Sequence, residues 1–423
     1  MGRLYRQHAK KPGAQMKRYG SFITSEEDQA ILFAVRKYVD EVVMPLRLEM
    51  DHSYEAFQKA YTGLVKLGVQ KRGFSPRNGG LGIRSATTVC ALTEEISRGD
   101  SGLSLHALIV PWSMAAAMGG QNKVVVEKFA PLFCGDEPRC GCLAITEPAG
   151  GCNIEDAAEH GRTIRTTARL DGEEWVINGE KMWPSGAGVA DLYCVVCSTD
   201  PALKEDGVAL IYVPKDTPGL TFGKPENKMG MRVTDVNAAI YFNDVRVPKS
   251  YRAAGPGTDW KLFRNNISWG RLTSAPMALG NAQAVLEIVI EYTGTRYYGG
   301  KSVRNHSLQA AMIADMAIGI ESARAHYMHV AAMFNDRERF GSPGDEFLMG
   351  RASAAKVHAC DVTEMVCATA MQLMGSYGYS PEYHIEKYLR DSKIIQLWLG
   401  GGQLGRLDVA QSYYPYVKPR AQN

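Results

Sequence analysis

Apolar residues recur at spacings of three and four from Ala30 to about Gly68 and again from Ser85 to about Phe129, with the polar loop PRNGGLG between the two runs. That spacing follows the turn of an α-helix, so both stretches are predicted to be helical with one face buried. Ser25, followed by Glu26, Glu27 and Asp28, supplies an N-cap and first-turn acids that oppose the helix dipole. From about Cys140 to Val247 the texture changes to short β-branched and aromatic runs, RTIRTTARL, EEWVING, LYCVVCS, VALIYVP and AAIYFNDVRV, set apart by Gly, Pro, Asp and Asn. This predicts a small antiparallel β-domain. Helical periodicity returns from about Trp269 through Glu291, Leu308 through Asn335 and Ala354 through Met374, predicting a closing helix bundle. The reading is an α+β protein: a basic arm over 1–24, a helical unit over 25–138, a β-domain over 139–252 and a helical bundle over 253–423.

Length supports several cores, because 423 residues exceed the roughly 250–300 over which one core grows. Hydrophobic residues at 45% and charged residues at 22% exclude extensive disorder. A net charge of +3 from 48 basic and 45 acidic residues gives no continuous basic face, which argues against nucleic acid and leaves small anionic ligands open. The nine cysteines are scattered, as expected of reduced thiols, and Cys194 and Cys197 fall in a predicted strand with no metal or redox role. No apolar run reaches the roughly 20 residues of a membrane span, and no secretory signal opens the chain, so a soluble cytoplasmic protein is expected. Residues Met1 to about Arg18 read as a frayed basic tail.

Several local motifs, taken with the order helices, sheet, helices, resemble the acyl-CoA dehydrogenase family from about Ser25 to Gln411. AITEPAGGCN is similar to the family's T-E-P-x-A-G-S-D turn, EEWVINGEKMWPSGAG to its L-N-G-x-K-x-W-I-T-N strand pair, and GMRVTDVNAAIYFNDVRVP to the strands that end its β-domain. QLMGSYGYSPEYHIEKYLRDSK matches Q-x-x-G-G-x-G-Y and the R-D-x-K after it. The resemblance implies a homotetramer with FAD held between the β-domain and the C-terminal helices. It implies that Thr146 and Gly151 lie in the flavin turn, that Cys152 stands where a serine meets the pyrophosphate, that Trp183 packs on the isoalloxazine, and that Ser185 replaces a threonine bonded to flavin N5. Arg296, Gln372, Gly375 and Ser376 would reach a neighbouring subunit's FAD, with Gln403 close by and Tyr298 in an aromatic contact. Ser104, Leu105, His106 and Leu108 on one helix, with Trp398, would line the acyl pocket. GGGQLG at 400–405 satisfies G-x-G-x-x-G but follows no βαβ strand, so a dinucleotide-binding unit is rejected.

The family oxidises an acyl-CoA by giving the C2 proton to a carboxylate and the C3 hydride to the flavin. Aligned without a gap after R-D-x-K, the position of that carboxylate is Leu399, beside Gly400. The alternative position used by some members precedes an arginine, and here it is Gly270 before Arg271. Neither can accept a proton. Three readings follow: oxidation with CO2 leaving a 2-carboxyacyl-CoA of the alkyl- or benzylmalonyl type, an ordinary dehydrogenase with the base relocated to His106 or to a carboxylate elsewhere in the chain, or a flavin monooxygenase or inactive CoA binder of the same fold. On the first, Arg271 would orient the substrate carboxylate, and Gly270 with Gly400–Gly402 would leave room for a branched or aromatic C2. The electron acceptor would be an electron-transfer flavoprotein or O2.

Overall fold

The computed structural model describes residues 18–23, 25–151 and 163–414, and the basic arm up to residue 17 lies outside them. Arg18, predicted to fray with that arm, is inserted between helices, with Nη1 3.2 Å from Glu95 and Nη2 3.1 Å from Glu287. Its partners lie 77 and 269 positions away, beyond the reach of any local pattern.

Capping residues cut the two long helical runs into shorter rods. Helix α1, Glu26–Tyr38, begins where Ser25 Oγ accepts the Asp28 amide at 3.0 Å, and it continues through a wider turn at Val39–Val43. Ser53, Ser85, Asp100 and Asn122 then start α2 (Tyr54–Lys66), α3 (Ala86–Gly99), α4 (Ser101–Gly119) and α5 (Lys123–Cys134), each side chain accepting a backbone N–H. Contrary to the sequence expectation, α4 is long and apolar enough to cross a bilayer. It packs against α3, α5, α6 and the sheet, so its apolar surface faces protein on most sides.

The β-domain holds β1 (Gly141–Ala144), β2 (Thr167–Asp171), β3 (Glu174–Lys181), β4 (Leu192–Ser198), β5 (Val208–Pro214), β6 (Leu220–Phe222) and β7 (Ile240–Pro248). Their order is β1-β4-β2-β3-β7-β6, with β5 on β4. The sheet is mixed rather than antiparallel, because β1 runs parallel to β4 from Gly141↔Leu192 to Ala144↔Val195. The β2–β3 excursion between them supplies the long crossover that a parallel pair needs. Cys194 and Cys197 are free, buried thiols inside β4.

The bundle consists of α6 (Thr258–Thr295), α7 (Ser307–Asn335), α8 (Glu346–Met374) and α9 (Ile385–Leu397), followed by α10 (Gly401–Gln411). Helix α6 begins eleven residues before the predicted Trp269. Its first turns are polar in sequence, yet Asp259 is buried, because it accepts from Arg252 Nε at 2.5 Å and Ala254 N at 2.9 Å. The R-D-x-K segment docks the domains. Lys387 Nζ lies 2.6 Å from Asp100 and 2.5 Å from Asp391, and Asp391 accepts the Met231 amide at 2.9 Å. Gly102 lets the same β-domain loop touch α4, since a Cβ there would lie 1.9 Å from Thr234 Oγ1.

Candidate active site

Helix α9 ends in a turn whose backbone is unusual. Leu399 has φ 53°, and Gly400 and Gly401 follow at 83° and 63°. A leucine in this region costs about 1–2 kcal/mol, so surrounding contacts must hold it there. They come from α6 and α8. Arg271 Nε donates to Leu399 O at 3.3 Å, Lys356 Nζ to Trp398 O, and Trp398 Nε1 to Ser274 Oγ at 2.8 Å. The turn presents the Leu399 side chain to α6, where a Cβ on Gly270 would lie 2.9 Å from Leu399 Cδ1 and 2.9 Å from Trp112 Cζ2. The two positions singled out in the sequence therefore meet at one point, and a hydrocarbon wall of Leu399 and Trp112 closes over it.

Two expectations about this region need correction. Arg271 is not free to hold a substrate carboxylate: it is 1% exposed, pairs with Asp408, and donates to Ser353 Oγ at 3.0 Å. It fixes the Leu399 turn to α8 and α10. The glycines do not open room either. A Cβ on Gly400 would strike Leu404 at 2.6 Å, and the space beside Gly270 is filled by Trp112, so these residues are small because of the turn and of close packing.

The helix α4 residues divide between two faces. Leu105 and Leu108 pack with Met277, Ile395 and Trp398 beside the Leu399 turn. Ser104 turns away and donates to Thr93 O at 3.0 Å, so it lines neither cavity of the site. His106 also turns from Leu399, with its ring 4.5 Å from that of Tyr61 and 5.0 Å from that of Phe57. A cavity of about 140 Å3 nevertheless joins His106 and Leu105 to Ser185. Burial draws the imidazole down to about 4, against the pull of Asp235, so it is neutral near neutral pH. The unfolded state then binds more protons than the folded state between about pH 4 and 6.5, and stability falls as pH drops through that window. We expect His106→Gln to flatten the pH dependence of the unfolding free energy between pH 4 and 6.5 and to leave the rate profile above pH 6.5 unshifted; a lost alkaline or neutral limb would make His106 a base.

The TEP turn is held by a buried ion pair. Glu147 accepts from Lys181 Nζ at 2.8 Å, Arg165 N at 2.6 Å and Thr166 N at 2.9 Å. Burial pushes the carboxyl up, but Lys181 and the two backbone amides together hold it below its ordinary range. Burial lowers the Lys181 ammonium despite Glu147. Beside this clamp Met182 N donates to Thr146 O at 2.8 Å, and Asn237 Nδ2 donates to Trp183 O at 2.7 Å. Trp183 sits at φ 64° and is 45% exposed, not in the core.

This arrangement has close counterparts. Residues 25–122, 142–245 and 257–414 match the N-terminal, middle and C-terminal domains of acyl-CoA dehydrogenase. The chain belongs to the acyl-CoA dehydrogenase family. It is 30% identical over 387 residues to cyclohexane-1-carbonyl-CoA dehydrogenase of Syntrophus aciditrophicus, covering 92% of this chain and 96% of that one. It is also 30% identical over 399 residues to the human mitochondrial short-chain specific acyl-CoA dehydrogenase, covering 93% and 91%. The structure of butyryl-CoA dehydrogenase from Megasphaera elsdenii superposes with a TM-score of 0.82 at 27% identity, over 92% of this chain and 98% of that one.

As an acyl-CoA dehydrogenase-type oxidoreductase the protein is FAD-dependent, and its residues fit the flavin. Among the described residues the hydroxyls of Thr146 and Ser185 have no hydrogen-bond partner, and the exposed Trp183 indole lies between them in sequence. Gly151 is needed for closeness, since a Cβ there would meet Thr146 Cγ2 at 2.9 Å, while Cys152 lies outside the described residues. The second predicted flavin set is at the other end of α6. Arg296 lies 5.9 Å from the Tyr377 ring centroid, next to Gly375 and Ser376 at the end of α8, and Tyr298 stacks on His306 at 4.1 Å. Gln372 and Gln403 are exposed. From Gly270 to Arg296 the helix advances roughly 39 Å, so Arg296 and its neighbours stand far from the Leu399 turn of their own chain, whereas Gln403 lies in the first turn of α10 directly after it.

Proposed function

We propose that this acyl-CoA dehydrogenase acts on a 2-carboxyacyl-CoA, with loss of CO2 replacing loss of the C2 proton. The C2–carboxylate bond breaks and its electron pair forms the C2=C3 double bond, while the C3 hydrogen leaves with its pair. Bound FAD supplies the acceptor for that hydride. The products are CO2 and an α,β-unsaturated acyl-CoA, and no base is consumed. The observation that carries the reading is the contact of Leu399 with Gly270, which puts hydrocarbon at both base positions. The wall of Leu399 and Trp112 destabilises a desolvated carboxylate and accepts neutral CO2, whereas a glutamate there would add like charge. Arg271 and Lys356 hold the Leu399 turn against this wall through its backbone carbonyls.

An electron-transfer flavoprotein is proposed as the electron acceptor, in a cytoplasmic homotetramer whose exposed Arg296 and Gln372 serve a neighbouring subunit's FAD. The decisive assay is anaerobic mixing with a substituted malonyl-CoA and with the matching saturated acyl-CoA. Flavin bleaching with one CO2 released per flavin is expected from the first, at least about 100-fold faster than bleaching by the second, the scale of a general base's contribution. Equal rates would return the reaction to ordinary proton abstraction.

A further inference from the structure

The cleft between α4 and α6 has a volume of about 1230 Å3, and its charge is one-sided. Arg72, Arg77, Arg84, Lys123 and Arg337 line it against one acid, Glu127, in a chain whose net charge is only +3. Among the described residues none of these five cations is in an ion pair. Four are exposed at the rim, where water solvates them.

Arg72 is different. It is 3% exposed, and its Nη1 donates at 2.7 Å to both Val69 O and Ala107 O. Those carbonyls orient the guanidinium without neutralising it. Arg36, Arg98, Arg271 and Arg324 are buried to a similar degree, and each has a carboxylate partner, while the fully buried Arg47 donates to His384 Nδ1 and Tyr388 Oη and does not line the cleft. Burial accordingly draws Arg72 down to about 10, while Arg98 and Arg324 are held up by their carboxylates. An isolated buried charge is costly, and a ligand oxyanion completes it with charge-assisted bonds. The cleft also adjoins the reacting region: Leu108 and Trp112 line it, the first packing beside Trp398 and the second against Gly270.

We propose that Arg72 is the receptor for an oxyanion of the CoA thioester, bound in the floor of this cleft. That oxyanion is a carboxylate on the acyl group or a phosphate of CoA. The proposal rests on the chain's use of acyl-CoA and is independent of how the bond at C2 is opened. Titration calorimetry on the FAD-loaded protein, without turnover, tests it with adipyl-CoA, hexanoyl-CoA and the hexanoyl thioester of N-acetylcysteamine, which has no phosphate. If the acyl carboxylate is the ligand, Arg72→Met weakens adipyl-CoA about 10- to 100-fold and spares hexanoyl-CoA. If a CoA phosphate is the ligand, both CoA esters weaken by that factor and the N-acetylcysteamine thioester is spared. Affinities all within about 2-fold of wild type, or an equal loss for all three ligands, overturn the proposal. Should Arg72→Met fail to fold, Arg72→Lys carries the test, since it keeps the charge but not the planar fork and should lose several-fold for the same ligand only.

Discussion

Leu399→Glu is expected to create ordinary dehydrogenase activity and to suppress decarboxylative turnover in the same protein. The turn already holds this residue at φ 53° and aims its side chain at the space beside Gly270. Glutamate inherits that aim, so a carboxylate would arrive at the reacting centre without a change of backbone. A positioned base contributes about 10²–10⁴-fold, so flavin reduction by a plain saturated acyl-CoA should rise by at least about 100-fold. Turnover of the substituted malonyl-CoA should fall by about 10-fold or more, because two carboxylates cannot share a desolvated site without repulsion. Burial against Trp112 will raise the new carboxyl's pKa, so the gained activity should climb with pH. Single-turnover flavin bleaching with the two substrates measures both effects. An unchanged ratio of the two rates would mean that Leu399 does not face C2 and would remove the basis for the decarboxylative reading. The same experiment is not available at Gly270, where any Cβ collides with both Leu399 and Trp112.

The parts of this site that were legible in the sequence are those that local chemistry dictates. Ser25 with three following acids marks a helix start, and the TEP turn and the Leu399 position are tied to short motifs of fixed spacing. What was not legible depends on partners far away in the chain. Arg271 looked available for substrate because Asp408, which neutralises it, lies 137 residues downstream. Gly400 suggested an open pocket, although its missing side chain is required by Leu404 one helical turn on. The start of α6 was hidden by polar residues whose burial is supported by Arg252. Arg72 drew no notice as one basic residue in a loop, and only its burial without a carboxylate sets it apart. Periodicity reports which face of an element is buried. It cannot report which charge meets which.

The flavin turn should fail as a unit when its ion pair is broken. Lys181→Met leaves Glu147 buried with only the Arg165 and Thr166 amides to stabilise its charge. Removing one partner of a buried pair costs about 3–5 kcal/mol, much of it from the stranded charge. Because Thr146 adjoins Glu147 and its carbonyl is bonded to Met182, the loss should appear as released FAD and a colourless protein before the helical bundle unfolds. The pH dependence follows from the sign of the shift. Glu147 has its folded pKa depressed below 4.5, so its contribution is present above that value and is lost as pH falls through the folded pKa. Without Lys181 that depression shrinks, and acid release of FAD should move to higher pH. Glu147→Gln combined with Lys181→Met removes the stranded charge and keeps an acceptor oxygen for one of the two amides, so it should recover part of the lost affinity. Flavin fluorescence during acid titration of the three proteins reads this directly. If Lys181→Met keeps its FAD as tightly as the parent at every pH, the turn is held by something other than this pair.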